Sequence, residues 1–554
     1  MKRLCLLMSV AMLLWPSSAA SVAQSAPSVL EAIRAEGMER SQVMQHLAYL
    51  TDVIGPRLTG SPSLKRANEW TRDTMAKWGL AARLEPWGPF GRGWSLVRYS
   101  AQLVAPNIAP VVSYPKAWTT STSGPVTADV IFVDAETDAD LEKYRGLLRG
   151  KIVLMSKPRD LGADFGGMAS RLSAEQLARL AAAPDPASVP PRPLIDADGR
   201  PSAEMMALLR AAGRDLRILR FAASEGAAVV AENSPRGSGG TLMVSPAIVL
   251  PDPAPVAPGQ PRPASTPWSK SAESRIPVQI TIATEDYNRL VRLSQLGVQA
   301  RMTVDVATQF HDEDAMAYNT IAEIPGTDAA RAPELVMLGA HLDSWHSGGG
   351  ATDNAAGSAV VMEAVRILTA IGVKPRRTIR VALWTGEEQG LLGSKAYAAA
   401  HFGELRNNPA AAPDVNGQRR ELVKGADYEK LSAYFNLDNG TGKIRGVYLQ
   451  GNVAVRPIFG EWLQPFANLD ATTLSLSSVA GTDHLAFDQI GLPGFQFIQD
   501  PIEYETRTHH TNQDTLDRIQ ADDLKQAATI MATFIYQAAM RDGKLPRKPA
   551  ASAR

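Results

Sequence analysis

At 554 residues the chain exceeds the size of a single hydrophobic core, and length alone calls for roughly two to four domains. Its 45% hydrophobic and 21% charged residues are the composition of a folded globular protein, and 57 basic side chains balance 57 acidic ones. A chain with no net charge has no global field to draw it to nucleic acid or to an anionic membrane, so function must rest on a local site.

The chain opens with MKRLCLLMSVAMLLWPSSAASVAQ. Lys2 and Arg3 form a basic start, residues 4–15 an apolar run, and Ser21-Val22-Ala23 or Ser18-Ala19-Ala20 a small-residue cleavage site. The run is too short to span a bilayer, which takes about 20 residues. Residues 1–23 therefore read as a cleaved secretory signal, and a secreted or periplasmic protein with no membrane attachment is expected. The only cysteine, Cys5, lies in this segment. Cleavage would leave no thiol, which excludes disulfides, thiolate metal sites and cysteine nucleophiles together.

Residues 27–80 carry apolar side chains at helical spacing on both sides of the turn-like GPRLTGSPS. From about 116 the texture changes. ADVIFVD and GKIVLMS read as short buried strands, and SAEQLARLAAA as a helix opened by a Ser173 to Gln176 capping box. LRILRFAASEGAAVVAENS reads as a helix running into a strand. Proline-rich surface loops, APDPASVPPRP and PDPAPVAPGQPRPASTPW, interrupt this region.

After about 316 strands and helices alternate: ELVMLGAH, a helix over NAAGSAVVMEAVRILTAIG, TIRVALWT, a helix near LLGSKAYAAAH, then AYFNLD, GVYLQG and GFQFIQD. A terminal helix runs from about Asp522 to Met540. This alternation predicts an α/β fold with a doubly wound, mostly parallel sheet and helices on both faces. The tail 541–554 is basic and poor in large apolar residues, so it is expected to be disordered.

In an open α/β sheet, ligands bind outside the carboxyl ends of the strands. ELVMLGA ends at His341-Leu342-Asp343, TIRVALWT at Glu387-Glu388 and AYFNL at Asp438. The helix after the first of these starts beside Asp353, and THHTNQDT after the last strand brings His509, His510 and Asp514. Each such residue alone suits a turn or cap. Five clusters of imidazole and carboxylate at one sheet edge instead point to borderline cations such as zinc, and such a set can hold two ions with one carboxylate bridging. A phosphate-binding reading of HSGGGATDNAAG fails for want of a P-loop lysine, and neither a G-x-S-x-G nucleophile elbow nor an H-E-x-x-H is present.

The ordered set HLDS, TDNAAG, TGEEQG, NLDNG and HHTNQDT, preceded by GPRLTGSPS, resembles the zinc-dependent exopeptidase family of bacterial leucyl aminopeptidases and glutamate carboxypeptidases. AHLDSW and WTGEEQG look most like its plasma glutamate carboxypeptidase (carboxypeptidase Q) branch. The resemblance implies a phosphorylase/hydrolase-like catalytic domain over 27–115 and 316–540 and an inserted protease-associated-like domain over 116–315. It implies two zinc ions, one on His341 and Asp438, the other on Glu388 and His510, with Asp353 bridging. His510 is chosen over His509 because it stands four residues before Asp514, as in the family's H-T-x-x-D-T. Asp343 would accept the other ring N–H of His341, and Glu387 would be the general base.

Asp483 and His484, in GTDHLAF, resemble a family segment near the substrate pocket, as substrate contacts or supports, with Thr482 in place of the usual serine. His346 and His311 read as surface polar residues; Tyr504 and Arg507 are either substrate-facing or structural. The implied function is a di-zinc exopeptidase acting on peptides or dipeptides, as an aminopeptidase or a carboxypeptidase-like dipeptidase. Two alternatives stay open, an inactive binding module and a single-zinc glutaminyl cyclase on the same fold; a homodimer is also open.

Overall fold

The computed structural model describes residues 28–163, 165–188, 203–252, 265–412 and 418–548. The expected signal segment with Cys5, part of each proline-rich loop and the end of the tail lie outside these residues. Among the described residues, no helix is long and apolar enough to cross a membrane.

Two eight-stranded mixed sheets organise the chain. The first runs, edge to edge, Ala81–Trp87, Ala317–Ile324, Thr378–Trp384, Leu335–His341, Leu431–Asn436, Gly494–Gln499, Ile444–Tyr448 and Thr473–Ser475. Its four central strands are mutually parallel, while Ala81–Trp87, Ala317–Ile324 and Ile444–Tyr448 join antiparallel. The sheet is therefore less uniformly parallel than the strand–helix alternation predicts, because its flanking strands lack the helical crossover that enforces a parallel neighbour.

Alternation along Leu335–His341 shows how it is covered on both faces. Val336, Leu338 and Ala340 join the larger core, with the helices Ala356–Ala370 and Ala521–Met540. Leu335 and Met337 face the other way, onto Tyr397, Phe402 and Phe487. Gly339 belongs to this second face, where a Cβ would come within 2.5 Å of Ala382 O and 2.6 Å of Tyr434 OH; only glycine lets the strands close there.

The second sheet is built from residues between Trp87 and Ala317, which are paired with each other in the first sheet. The excursion leaves and returns along a ribbon, Gly93–Ala105 against Arg301–His311. Its strands begin at Gly93, earlier than the change of texture near 116, and Ser113–Pro115 also belongs to it. These early strands lack clear alternation: Gly93–Ala105 has one face largely in solvent. The joint between the sheets has its own apolar core of Leu58, Trp87, Phe90, Trp94, Trp118, Val244 and Trp345.

Residues 541–548 depart from the expected disorder. Leu545 is buried and the Arg547 guanidinium lies over the Tyr428 ring. One leucine and aromatic stacking of arginine anchor a segment whose composition reads as a tail.

Phe534 sits on the terminal helix at the centre of the larger core, within 5.3–5.8 Å, ring to ring, of Phe435, Phe459, Trp462 and Phe497. Phe534→Ala is expected to cost about 3–5 kcal/mol, read as a lowered midpoint in denaturant unfolding.

Candidate metal centre

The parallel central strands put their carboxyl ends on one edge, and the expected residues meet there. His341 ends its strand; its Nε2 lies 3.1 Å from Asp353 Oδ1 and 3.3 Å from Asp438 Oδ1. His510 Nε2 lies 3.2 Å from Asp353 Oδ2 and 2.9 Å from Glu388 Oε2. Asp353 thus turns one oxygen to each histidine. His509 is also near, 3.8 Å from Asp353 Oδ2, but its ring stacks on Tyr504 and its Nδ1 faces Glu505 at 3.8 Å. His510 sits between two carboxylates and His509 touches one of them.

The donor set fits cations. His341, Asp353 and Asp438 offer atoms all within 4.8 Å of one another. His341 Nε2, Asp353 Oδ2 and Glu388 Oε1 are buried without a hydrogen-bond partner, an arrangement that costs free energy unless a positive charge joins it. Burial pulls His510 down, but Glu388 and Asp353 overcome it and hold the imidazole up at about 10. Burial pushes Glu387 well above the usual carboxylate range; His341 opposes that, while Asp438, Asp483 and Glu388 add to it. Bound cations invert this logic and favour the ionised carboxylates.

The local chain explains the aim of each group. Strand Thr378–Trp384 stops before Gly386, whose φ of +74° turns the backbone into the left-handed region. Glu387 and Glu388 lie beyond that turn, so strand alternation no longer separates them. Asp343 holds the turn: its Oδ1 and Oδ2 accept from the N–H groups of Glu387 and Glu388 at 3.4 and 3.3 Å, and Thr59 Oγ1 donates to Oδ2 at 2.9 Å. The partner of His341 Nδ1 is the backbone carbonyl of Asp343 at 3.0 Å, whereas the Asp343 carboxylate is 3.6 Å away. A carbonyl only accepts, so Nδ1 carries a proton, and with a cation bound Nε2 would turn its own lone pair to it beside the oxygens of Asp353 and Asp438.

Two supports are not legible as such in the sequence. Asp514 accepts from the N–H groups of Thr352 and Asp353, at 2.5 and 3.1 Å, and so fixes the bridging carboxylate's backbone. Arg57, from GPRLTGSPS, is fully buried beneath the centre and donates to the carbonyls of Leu342, Leu50, Gly55, Gly349 and Gly350. The signals were an aspartate at fixed spacing from His510 and an arginine inside a turn.

Asp483 is fully buried, and burial pushes it up to about 7 against the pull of His341 and of the Ser394 hydroxyl. His484 faces Gln450 and the carbonyl of Val479, tying down the neighbouring loop. Tyr504 is buried, and its phenol is pushed well up by burial and by Asp353, Asp438, Glu388 and Glu387. Arg507 is engaged with Met168 and Glu503. His311 bonds Ser95 at 2.9 Å. His346 is not a surface residue: it is buried among Trp94, Tyr114 and Trp345, with Nε2 donating to Pro115 O at 2.7 Å.

An α/β sheet with paired histidines and carboxylates gathered at its carboxyl edge is the arrangement of a candidate metal centre. Residues 319–535 match the model of Peptidase family M28. Carboxypeptidase Q of Mus musculus is 29% identical over 266 residues, covering 48% of this chain and 51% of the relative; the match spans about half the relative's length. Among solved structures, a peptidase M28 precursor from Shewanella amazonensis shares the fold over 94% of this chain and 98% of its own, at a TM-score of 0.59 and 22% identity. A zinc aminopeptidase from Bacillus subtilis does so over 91% and 96%, at 0.52 and 19% identity.

Burial holds His346 down at about 4, with only the Pro115 carbonyl opposing it. Unfolded, the imidazole titrates near 6.5, so between pH 6.5 and 4 the unfolded chain takes up a proton that the folded chain refuses. Stability should fall as pH drops through that window, by at most about 3 kcal/mol from this residue, and His346→Gln should flatten that part of the pH dependence of thermal unfolding.

Proposed function

We propose that the protein is a secreted or periplasmic di-zinc exopeptidase that hydrolyses a terminal bond of peptides or dipeptides. The observation that carries the reading is Asp353, whose two carboxylate oxygens face two different histidines, 3.1 Å from His341 and 3.2 Å from His510. His341 and Asp438 would hold one ion, Glu388 and His510 the other, and Asp353 both. The family match and the carboxypeptidase Q relative support a peptide substrate. Export rests on residues 1–23 alone.

When bound, the ions supply Lewis acidity that polarises the scissile carbonyl and eases deprotonation of water. Glu387 does the proton transfer. It is the residue next to Glu388 and lies within the electrostatic reach of His341, which supports a role beside the ions and not as one of their ligands. Its carboxylate accepts a proton from the attacking water and returns it to the amine nitrogen of the leaving group. Asp343 keeps base and ligand at one separation by holding both backbone N–H groups of the turn. The low exposure of the surrounding carboxylates excludes bulk water, which strengthens each of these interactions.

Glu387→Gln is expected to bind zinc as the unaltered protein does while turnover falls roughly 10²- to 10⁴-fold. Zinc content by elemental analysis and initial rates on free dipeptides, N-blocked peptides and amino-terminal chromogenic amides check both halves. Undiminished turnover removes Glu387 from the mechanism, and two bound ions with no cleavage of any substrate favours the binding-module reading.

A further inference from the structure

Four of the five residues assigned to the ions stand on the first sheet's own strand ends or the helix start beside them. The fifth, His510, stands on a loop gripped by the inserted domain. On one side, the Val244 N–H donates to His510 O at 3.1 Å and the Arg236 guanidinium to His509 O at 2.5 Å. Leu242 N–H donates to Asn512 Oδ1 at 2.7 Å, Asn512 N–H returns to Leu242 O at 3.1 Å, and Asn512 Nδ2 reaches Gly240 O at 3.2 Å. Met243 and Thr511 form an antiparallel bridge in the same register.

A second segment of the insert holds the beginning of the same loop. Ser170 and Ile502 exchange backbone hydrogen bonds of 2.9 and 3.0 Å, and Thr506 Oγ1 donates to Met168 O at 2.7 Å. Arg171 anchors that segment on Asp500 and Asp523 at 2.9 and 2.8 Å. Between the two grips, His510 has a φ of +62°, a left-handed backbone that a residue with a Cβ keeps only where its surroundings impose it. His341 is supported differently. Its Nδ1 bonds Asp343 O, its carbonyl accepts from Ser358, and the carbonyl of Leu437, beside Asp438, accepts from Asn354, all within the peptidase region.

We propose that the inserted domain is the template for one half of the centre: Arg236 and the Leu242–Asn512 clasp are positioning groups that set the affinity of the Glu388/His510 metal position and leave that of the His341/Asp438 position unchanged. This rests on the two-ion reading above. Partners that orient a metal-bound imidazole typically account for 10- to 100-fold in metal affinity, and here they act through the backbone of the ligand. The ion on the insert's side is thus the one that is lost first whenever the two domains part.

The test is zinc titration of the metal-free full chain against a chromogenic chelator. Arg236→Ala and Asn512→Ala should each weaken one of two zinc equivalents about 10- to 100-fold and leave the other unchanged. Arg236→Lys, which keeps a donor for His509 O, should restore most of the loss. Equal weakening of both equivalents, no weakening, or no rescue by lysine overturns the proposal. Fewer than two equivalents in the unaltered chain defeats the two-ion reading instead. Melting of the metal-free variants serves as the folding control; should one variant fail it, the other, with Arg236→Lys, decides.

Discussion

Seven carboxylates, Asp343, Asp353, Glu387, Glu388, Asp438, Asp483 and Asp514, crowd one crevice at the sheet edge, and the rest of the site depends on how their repulsion is offset. Asp343, Asp353, Asp483 and Asp514 are buried, while Glu388 and Asp438 expose 2% and 8% of their side chains. Two like charges 4 Å apart repel by about 4 kcal/mol at an effective dielectric of 20, so such a cluster needs fixed positive charge or fixed N–H dipoles. The fold supplies both. Arg57 faces Asp514, Asp343, Asp353 and Glu388 from below; burial brings its guanidinium down to about 10, still charged at neutral pH. All its bonds go to backbone carbonyls, which leaves the carboxylates free for other partners.

The N–H dipoles are distributed with the same economy. Asp343 takes those of Glu387 and Glu388, and Asp514 takes those of Thr352 and Asp353. Neither carboxylate is in the set assigned to an ion, and each fixes the backbone of groups that are. The arrangement is layered: a buried arginine holds the loops, two aspartates hold the turns, and the turns present the groups that face a cation.

Much of this was legible in the sequence because it follows from one rule, that parallel strands deliver their carboxyl ends to one edge. His341, Glu388 and Asp438 are found by locating strand ends. What escaped has physical causes. Asp343 stands two residues beyond a histidine, a spacing that suits a carboxylate–imidazole pair, but its own backbone carbonyl is the nearer acceptor. His346 reads as polar and exposed until the insert folds over it and its strand Ser113–Pro115 supplies the Pro115 carbonyl. The strands Ala81–Trp87 and Gly93–Ala105 were missed because their faces are largely exposed and their alternation is faint. A residue whose environment comes from a segment 231 positions away carries no local signature.

That last point bears on why the insertion sits where it does. Trp87 and Ala317 are direct partners in the first sheet, so a short hairpin would close the gap between them. The chain instead builds a second sheet there and brings it back over the centre, burying Trp345, beside His510, in a shared apolar joint with Trp94 and Val244. Within 501–514 the turn Tyr504–Thr508 bonds to itself, whereas the carbonyl of the left-handed His510 takes its partner from the insert, the Val244 N–H. Covering 501–514 with loop segments from an insertion supplies backbone partners without placing another side chain among the carboxylates. The edge of the sheet can then stay crowded with charge while the rigidity comes from outside it.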